Sequence, residues 1–183
     1  MSIVFEKVTK RYDGTVLDGV TLAFAEGKIT ALVGASGRGK TTVLRLLAAL
    51  EKPSGGSVRV QGKVGYLFQE PRLLPTHTAW QNVRLVAESD AAARAALALC
   101  KADALADKLP AEMSGGERQR VALARLVAFG GDVWLLDEPF SALDAETKGE
   151  IIENLMPLLR SRTVVLVTHS AEEATLADNV IEL

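Results

Sequence analysis

The stretch KITALVGASGRGKTTVLRLL, residues 28–47, narrows the possible folds more than any other part of the chain. An apolar, β-branched run ends at Gly34, and the residues Gly34, Gly39, Lys40 and Thr41 satisfy G-x-x-x-x-G-K-[ST]. Val43, Leu44, Leu46, Leu47 and Leu50 then recur at helical spacing. A buried strand, a glycine-rich loop and a helix, in that order, are the setting in which this pattern has a physical mechanism. Glycines let backbone N–H groups converge on phosphate oxygens, and the start of the helix adds the positive end of its dipole. Gly34, Ala35, Ser36, Gly37, Arg38 and Gly39 are therefore candidate phosphate contacts. Lys40 would place a cation on the β and γ phosphates, Thr41 would ligate Mg2+, and Thr42 would add a contact to the α phosphate.

The rest of the chain alternates in the same way. IVFEKV and VTLAFA precede KITALVG as strand-like runs, separated by the turn signals YDGT and EGK, and PSGG at 53–56 closes the first helix. Short strands are predicted at about 57–61 and 64–68. Residues 71–113 carry almost no strand signal but much alanine and leucine, with AAARAALALCKADALA the clearest helix. A helix is predicted from Ser114 to about Phe129, a buried strand at VWLLD, and a helix over about 145–160. TVVLVT follows as a buried strand, then a short helix after His169 and Ser170, and NVIEL as a last strand. This order predicts a mostly parallel sheet in one domain over 1–183, with a helical subdomain at about 71–130.

Composition bounds the function. With 48% apolar and 24% charged residues among 183, the chain can bury a core without metals or disulfides. A net charge of −2 provides no broad field for nucleic acid or anionic lipid, so any anion site must be local. Cys100 is the only cysteine, and the charged residues of MSIVFEKVTKRY interrupt the apolar stretch a signal peptide needs, so the chain is read as intracellular. Runs such as VWLL and VVLV are strand-sized, so a membrane role requires a partner.

VWLLDE at 133–138 supplies the second half of a nucleotide triphosphatase. Asp137, at the end of a strand, is placed to hold Mg2+, and Glu138, one residue further from the core, to orient or deprotonate an attacking water. Those two motifs leave GTPases, small-molecule kinases and helicase-type motors all open. MSGGERQRVALAR at 113–125 decides among them, because it closely resembles the signature motif of the ATP-binding cassette (ABC) ATPases. The resemblance extends along nearly the whole chain. Tyr12 is placed like the aromatic that stacks on adenine, Gln69 in YLFQEP like the Q-loop glutamine, SALD at 141–144 with Asp144 like the D-loop, and His169 like the switch histidine. Taken singly, Tyr12 reads as a turn aromatic, Gln69 as a strand-end polar residue and His169 as a structural histidine; six motifs in the family's order outweigh those readings. Cys100, Trp80 and Trp134 read as packing residues, His77 has no second ligand at metal spacing, and Arg118 and Arg120 form a polar helix face.

The resemblance implies an α/β P-loop NTPase fold with a mostly parallel core sheet, an antiparallel N-terminal β subdomain and a small helical subdomain. It implies ATP and Mg2+ as ligands, with Thr41, Asp137 and Gln69 at the metal, and Glu138, His169 and Gln69 as the catalytic set. It also implies a homodimer arranged head to tail, in which Ser114, Gly115 and Gly116 meet the nucleotide of the second ATP-binding subunit. FQEPRLLPTHTAWQNV resembles bacterial importer subunits for thiamine, nitrate, sulfonate and taurine. The expected role is thus an importer ATPase at the cytoplasmic face of the cell membrane, joined to transmembrane permease subunits and, in the assembly, a solute-binding protein. Glu117 departs from the signature's usual glutamine and adds a negative charge. The helical segment is compact, and with NVIEL last no fused regulatory domain is expected. The alternative is a soluble ABC ATPase acting on nucleic acid or ribosomes. Only 44 residues separate Gln69 from Ser114, too few for a long coiled-coil insertion, and no basic surface invites nucleic acid. A P-loop kinase would leave SGGE and His169 unexplained.

Overall fold

Continuous β-branched runs become central strands, because a strand buried on both faces has no polar face to alternate with. The computed structural model describes residues 3–183. In chain order the elements are β1 (Ile3–Arg11), β2 (Thr15–Leu22), β3 (Ile29–Val33), α1 (Lys40–Leu47), β4 (Gly55–Val60), β5 (Val64–Leu67), α2 (Ala79–Arg84), α3 (Asp90–Leu99), α4 (Gly115–Phe129), β6 (Val133–Asp137), α5 (Ala145–Arg160), β7 (Thr163–Val167), α6 (Ala171–Ala174) and β8 (Asn179–Glu182). They fall into two units: residues up to Tyr66 with 131–138 and 159–183, and residues 67–130 with 139–158.

The first unit holds two sheets. One is three-stranded in the order β2-β1-β4, with both pairings antiparallel. The other is five-stranded in the order β5-β6-β7-β3-β8, and β6–β7, β7–β3 and β3–β8 are all parallel. Every residue of β6 and β7 is buried, as their sequences require. α1 turns Val43, Leu44, Leu46 and Leu47 inward onto Leu32, Leu135 and Val165, and Phe5 meets Phe24 edge to face at 6.5 Å. Trp134 packs in the sheet with the Arg162 guanidinium 4.2 Å from its ring centroid.

α1 ends at Leu47 rather than running to Leu50: Ala49 takes a left-handed φ of 55°, and the Leu50 N–H turns back to the Arg45 carbonyl at 3.0 Å. Leu50 is left exposed.

The second unit is helical and self-capped. Thr78, Ser89 and Ser114 each accept a backbone N–H at the start of α2, α3 and α4. Ser114 and Glu117 make a full capping box: the Ser114 hydroxyl accepts the Glu117 N–H at 3.1 Å, and the Glu117 carboxylate accepts the Ser114 N–H at 2.7 Å. Buried Asn82 fixes the preceding loop by donating to the Leu74, His77 and Thr78 carbonyls while accepting the Leu74 N–H. The helix predicted through AAARAALALCKADALA stops at Leu99. Lys101 adopts φ 52°, and the Ala102 and Lys101 N–H groups close onto Leu97 and Ala98 at 2.8 and 3.0 Å, a Schellman ending without glycine. Cys100 caps that end, fully buried. The unit reaches past the expected 71–130 segment to take in 139–158, held by the Lys101–Glu150 ion pair, by Asn154 donating to the Leu99 carbonyl at 3.2 Å and by Gln119 donating to the Pro139 carbonyl at 3.0 Å.

Candidate active site

Strand register decides which residues meet. Asp137 lies level with Val167 across β6–β7, and Val167 level with Leu32 across β7–β3. The segments leaving those strands at Gly34, Glu138 and Thr168 therefore emerge along one edge of the sheet. Ligands of open parallel sheets bind at that carboxyl edge.

The glycine-rich loop leaves β3 and returns as α1. Gly39, at the helix N-cap, has φ 91°, and a Cβ there would sit 3.0 Å from both Leu17 and Val16 side chains, so another residue would be strained in its backbone and crowded by both neighbours. No side chain caps α1, unlike α2, α3, α4 and α6, and its first turn holds no acidic residue. Its N–H groups thus remain for an anion. Lys40 is buried and donates from Nζ to the Gly34 and Ala35 carbonyls, each at 2.8 Å, which lays its ammonium along the inside of the loop.

Asp137 is buried at the end of β6, where its Oδ1 accepts the Thr41 hydroxyl at 3.2 Å and its Oδ2 the Tyr66 hydroxyl at 3.4 Å. Burial pushes its carboxyl upward from the ordinary value; the Thr41 bond opposes that shift and the Glu138 charge adds to it. A buried carboxylate beside a threonine hydroxyl and a second carboxylate is an oxygen set suited to a hard divalent cation, so these residues fit Mg2+.

Glu138 follows with φ 48°, an uncommon conformation for a side-chain-bearing residue, held by its N–H donating to the Val167 carbonyl at 3.0 Å. The turn throws its carboxylate back over the strand ends, where Oε1 lies 3.2 Å from Nε2 of His169. His169 is in turn seated by its neighbours. Thr168 donates to the Glu173 carboxylate at 2.6 Å, and Ser170 donates its N–H to Thr168 at 3.0 Å while capping α6. Tyr12, in the β1–β2 turn, donates its hydroxyl to Glu51.

The first unit thus gathers the glycine-rich loop, Lys40, Thr41, Asp137, Glu138 and His169 on one sheet edge. Tyr12 and Thr42 also belong to the first unit, and the second carries Gln69, Ser114, Gly115, Gly116 and Asp144. Gln69 is exposed in the bend after β5. Ser114 ends in its capping box, with its hydroxyl held against Glu117. A Cβ on Gly116 would come within 2.8 Å of the Ala142 carbonyl, so signature and SALD segments are backbone-packed; Gly115 stands in open space. Asp144 accepts the Thr147 N–H at 2.9 Å, a bond that lowers its pKa. Sequence reasoning missed Tyr66, which reaches Asp137 only through strand order, and Glu173, which the spacing Ser170-x-x-Glu173 could have flagged.

An uncapped glycine-rich helix start, a lysine lining it, a buried carboxylate and an acid–imidazole pair define a P-loop nucleoside triphosphatase. Residues 17–141 match the family described as ABC transporter. Over 93% of its length the chain is 46% identical to the aliphatic sulfonates import ATP-binding protein SsuB 1 of Nocardia farcinica, spanning 73% of that protein. It is 49% identical to SsuB 2 of Pseudomonas syringae over 92% of its length, and 40% identical to the sulfate/thiosulfate import ATP-binding protein CysA of Ralstonia nicotianae over 99%. It spans 64% and 56% of those two proteins, less than two thirds of each. The ATP-binding cassette MJ0796, solved as a dimer in a post-hydrolysis state with ADP and Pi, superposes with a TM-score of 0.93 at 31% identity, covering 99% of this chain and 94% of that one. The chain belongs to the ABC transporter family and is an ATP-binding cassette ATPase.

Proposed function

We propose that this cassette hydrolyses ATP as the peripheral subunit of a bacterial importer, paired head to tail with a second copy and docked on transmembrane permease subunits at the cytoplasmic face. The observation that carries the chemistry is the convergence of Lys40, Asp137 and the Glu138–His169 pair on one sheet edge. Import rests on the relatives named for aliphatic sulfonates and for sulfate or thiosulfate, which also support a sulfur oxyanion as cargo. A solute-binding protein completes such an assembly. Cargo is recognised by those other subunits.

The uncapped start of α1 and the loop N–H groups receive the triphosphate, with Lys40 on the β and γ oxygens. Thr41 and Asp137 would hold Mg2+, which would offset charge on the phosphate oxygens. Glu138 takes a proton from the attacking water as the water oxygen bonds to the γ phosphorus and the bond to the bridging oxygen breaks, releasing ADP and inorganic phosphate. His169, 3.2 Å from Glu138, steadies that carboxylate and offers a donor to the γ phosphate. Ser114 and the N–H groups of Gly115 and Gly116 serve the partner's nucleotide, so ATP joins the pair and its hydrolysis releases it.

For the permease, the second unit offers a groove of about 460 Å³ lined by His77, Trp80, Gln81, Arg84 and Leu85, with Leu85 exposed at its rim. It lies on and just beyond the segment 71–83 that follows Gln69, the stretch that on this reading couples nucleotide state to the permease. Cross-links from this groove to a permease support the assignment, and cross-links confined to Val58 and Val60 on β4 contradict it.

The dimer has its own test. Glu138→Gln keeps the side chain's size but removes its basic oxygen, so hydrolysis stops while ATP still binds, and the variant elutes as a dimer with ATP and a monomer with ADP at high protein concentration. Adding Ser114→Arg abolishes that dimer. An unchanged dimer in the double variant, with ATP bound, refutes the head-to-tail arrangement.

A further inference from the structure

Stacking on a base requires a ring held in one orientation with one face open. Tyr12 sits in a turn and is 51% exposed, a situation in which a tyrosine ordinarily samples several rotamers. This ring is restrained at its edge and on one face. Its hydroxyl donates to the Glu51 carboxylate, and the Lys10 ammonium lies 4.8 Å from the ring centroid, covering one face. Lys10 is itself fixed, pairing with Glu51 at 2.9 Å and donating to the Lys52 carbonyl at 3.0 Å. Arg45, in the last turn of α1, approaches Glu51 to 3.5 Å from the other side.

Glu51 is no mobile surface carboxylate. The turn after α1 returns the Leu50 and Glu51 N–H groups to the Arg45 carbonyl at 3.0 and 3.4 Å, so the residue is bound to the end of the helix whose start forms the phosphate loop. The Tyr12 hydrogen bond, with Lys10 and Arg45 nearby, holds its carboxyl below the usual range, so it is a constant acceptor at neutral pH. One helix therefore positions both ends of a nucleotide site: phosphates at Lys40 and, through Glu51, the ring at Tyr12.

We propose that Glu51 is a positioning residue for nucleotide binding, fixing the Tyr12 ring so that the face turned away from Lys10 is presented to the purine. The proposal rests on the reading of Tyr12 as the base-stacking residue. Glu51 itself does not touch nucleotide. Its loss frees the ring, and immobilising one such side chain on binding weakens affinity by about threefold to tenfold. The loss falls equally on ATP and ADP, raises KM, and leaves kcat unchanged.

The experiment is a calorimetric titration of the full chain and its variants with ATP, ADP and inorganic tripolyphosphate, which has no base. Glu51→Ala raises Kd for ATP and ADP by about threefold to tenfold and leaves tripolyphosphate unaffected. Glu51→Gln, whose amide oxygen still accepts the phenol proton, binds ATP within about twofold of the parent. Tyr12→Phe, which leaves Glu51 and its cations in place, reproduces the Glu51→Ala loss, and the double variant loses nothing further. Should Glu51→Ala fail to fold, Tyr12→Phe and Glu51→Gln carry the test. An unchanged ATP affinity in Glu51→Ala or Tyr12→Phe, alongside a weakened Tyr12→Ala, overturns the positioning role while the stacking reading stands. Unchanged affinity in Tyr12→Ala overturns the stacking reading and the proposal with it. Equal loss toward tripolyphosphate overturns the proposal by placing the effect on the phosphate loop.

Discussion

Asp137 and Glu138 are consecutive carboxylates with opposite surroundings. One closes a strand inside the protein; the other, through a left-handed turn, faces His169. The buried one destabilises the fold when ionised. Its carboxyl is raised on folding, so the penalty is absent below the unfolded value of about 3.9 and grows as pH rises through the folded value. Asp137→Asn should therefore unfold at higher urea than the parent at pH 7.5 without nucleotide, lose that advantage near pH 4, and show no ATPase activity. Lys40 gives a second prediction. A hydrogen bond to a charged group contributes about 1.5–3 kcal/mol, so Lys40→Ala should weaken ATP binding by about tenfold to a hundredfold and abolish turnover, with its far-UV circular dichroism unchanged. Normal turnover by that variant would sink the assignment. Lys40, Asp137 and Glu138 are legible as strings because each sits beside an apolar run that marks its strand or helix. Tyr66 and Glu51 are not, since their partners lie 71 and 39 residues away and no local period announces them.

Helix starts carry a polar mark that the helix ends lack, legible in the sequence at Ser114 and Ser170. Thr78, Ser89, Ser114 and Ser170 all stand where a capping residue is expected, with an acceptor oxygen free of the helix. α1 and α3 instead end at Leu47 and Leu99 with Ala49 and Lys101 in left-handed conformations, where glycine would have been the visible sign. Leu50 prolonged the apolar period past the true end, and the alanine run did so in α3. The Glu117 departure from the signature pattern resolves at this scale. Its carboxylate completes the α4 capping box and pairs with Lys108 at 3.0 Å. The Ser114 backbone bond, then Lys108, lowers its pKa, so its stabilisation is present above the unfolded value and is lost as pH falls through the lower folded one. Between pH 5 and pH 3, roughly the window set by carboxylate titration, Glu117→Gln should lose less stability than the parent, as thermal melts of the two would show.

At the scale of the molecule, the parallel register is what the alternating sequence conveyed best, and it is the register that aligns Gly34, Glu138 and Thr168. The grouping of 139–158 with the helical unit depends on long-range bonds such as Asn154 to Leu99, which no pattern in the chain displays. Because nucleotide binds the folded chain, ATP at a hundred times its Kd should stabilise Glu138→Gln by about 2.7 kcal/mol and raise its melting temperature by about 5–10 °C, measurable by differential scanning fluorimetry. Burial of Cys100 carries a further consequence. With no exposed surface and its thiol pushed up to about 12, the chain's single sulfhydryl is chemically silent while α3 stays closed. Alkylation by a maleimide or iodoacetamide at neutral pH then proceeds only through opening of the helical unit, so its rate clocks that motion with no introduced label, and comparing the rate with and without ATP separates loosening of the second unit from unfolding of the whole.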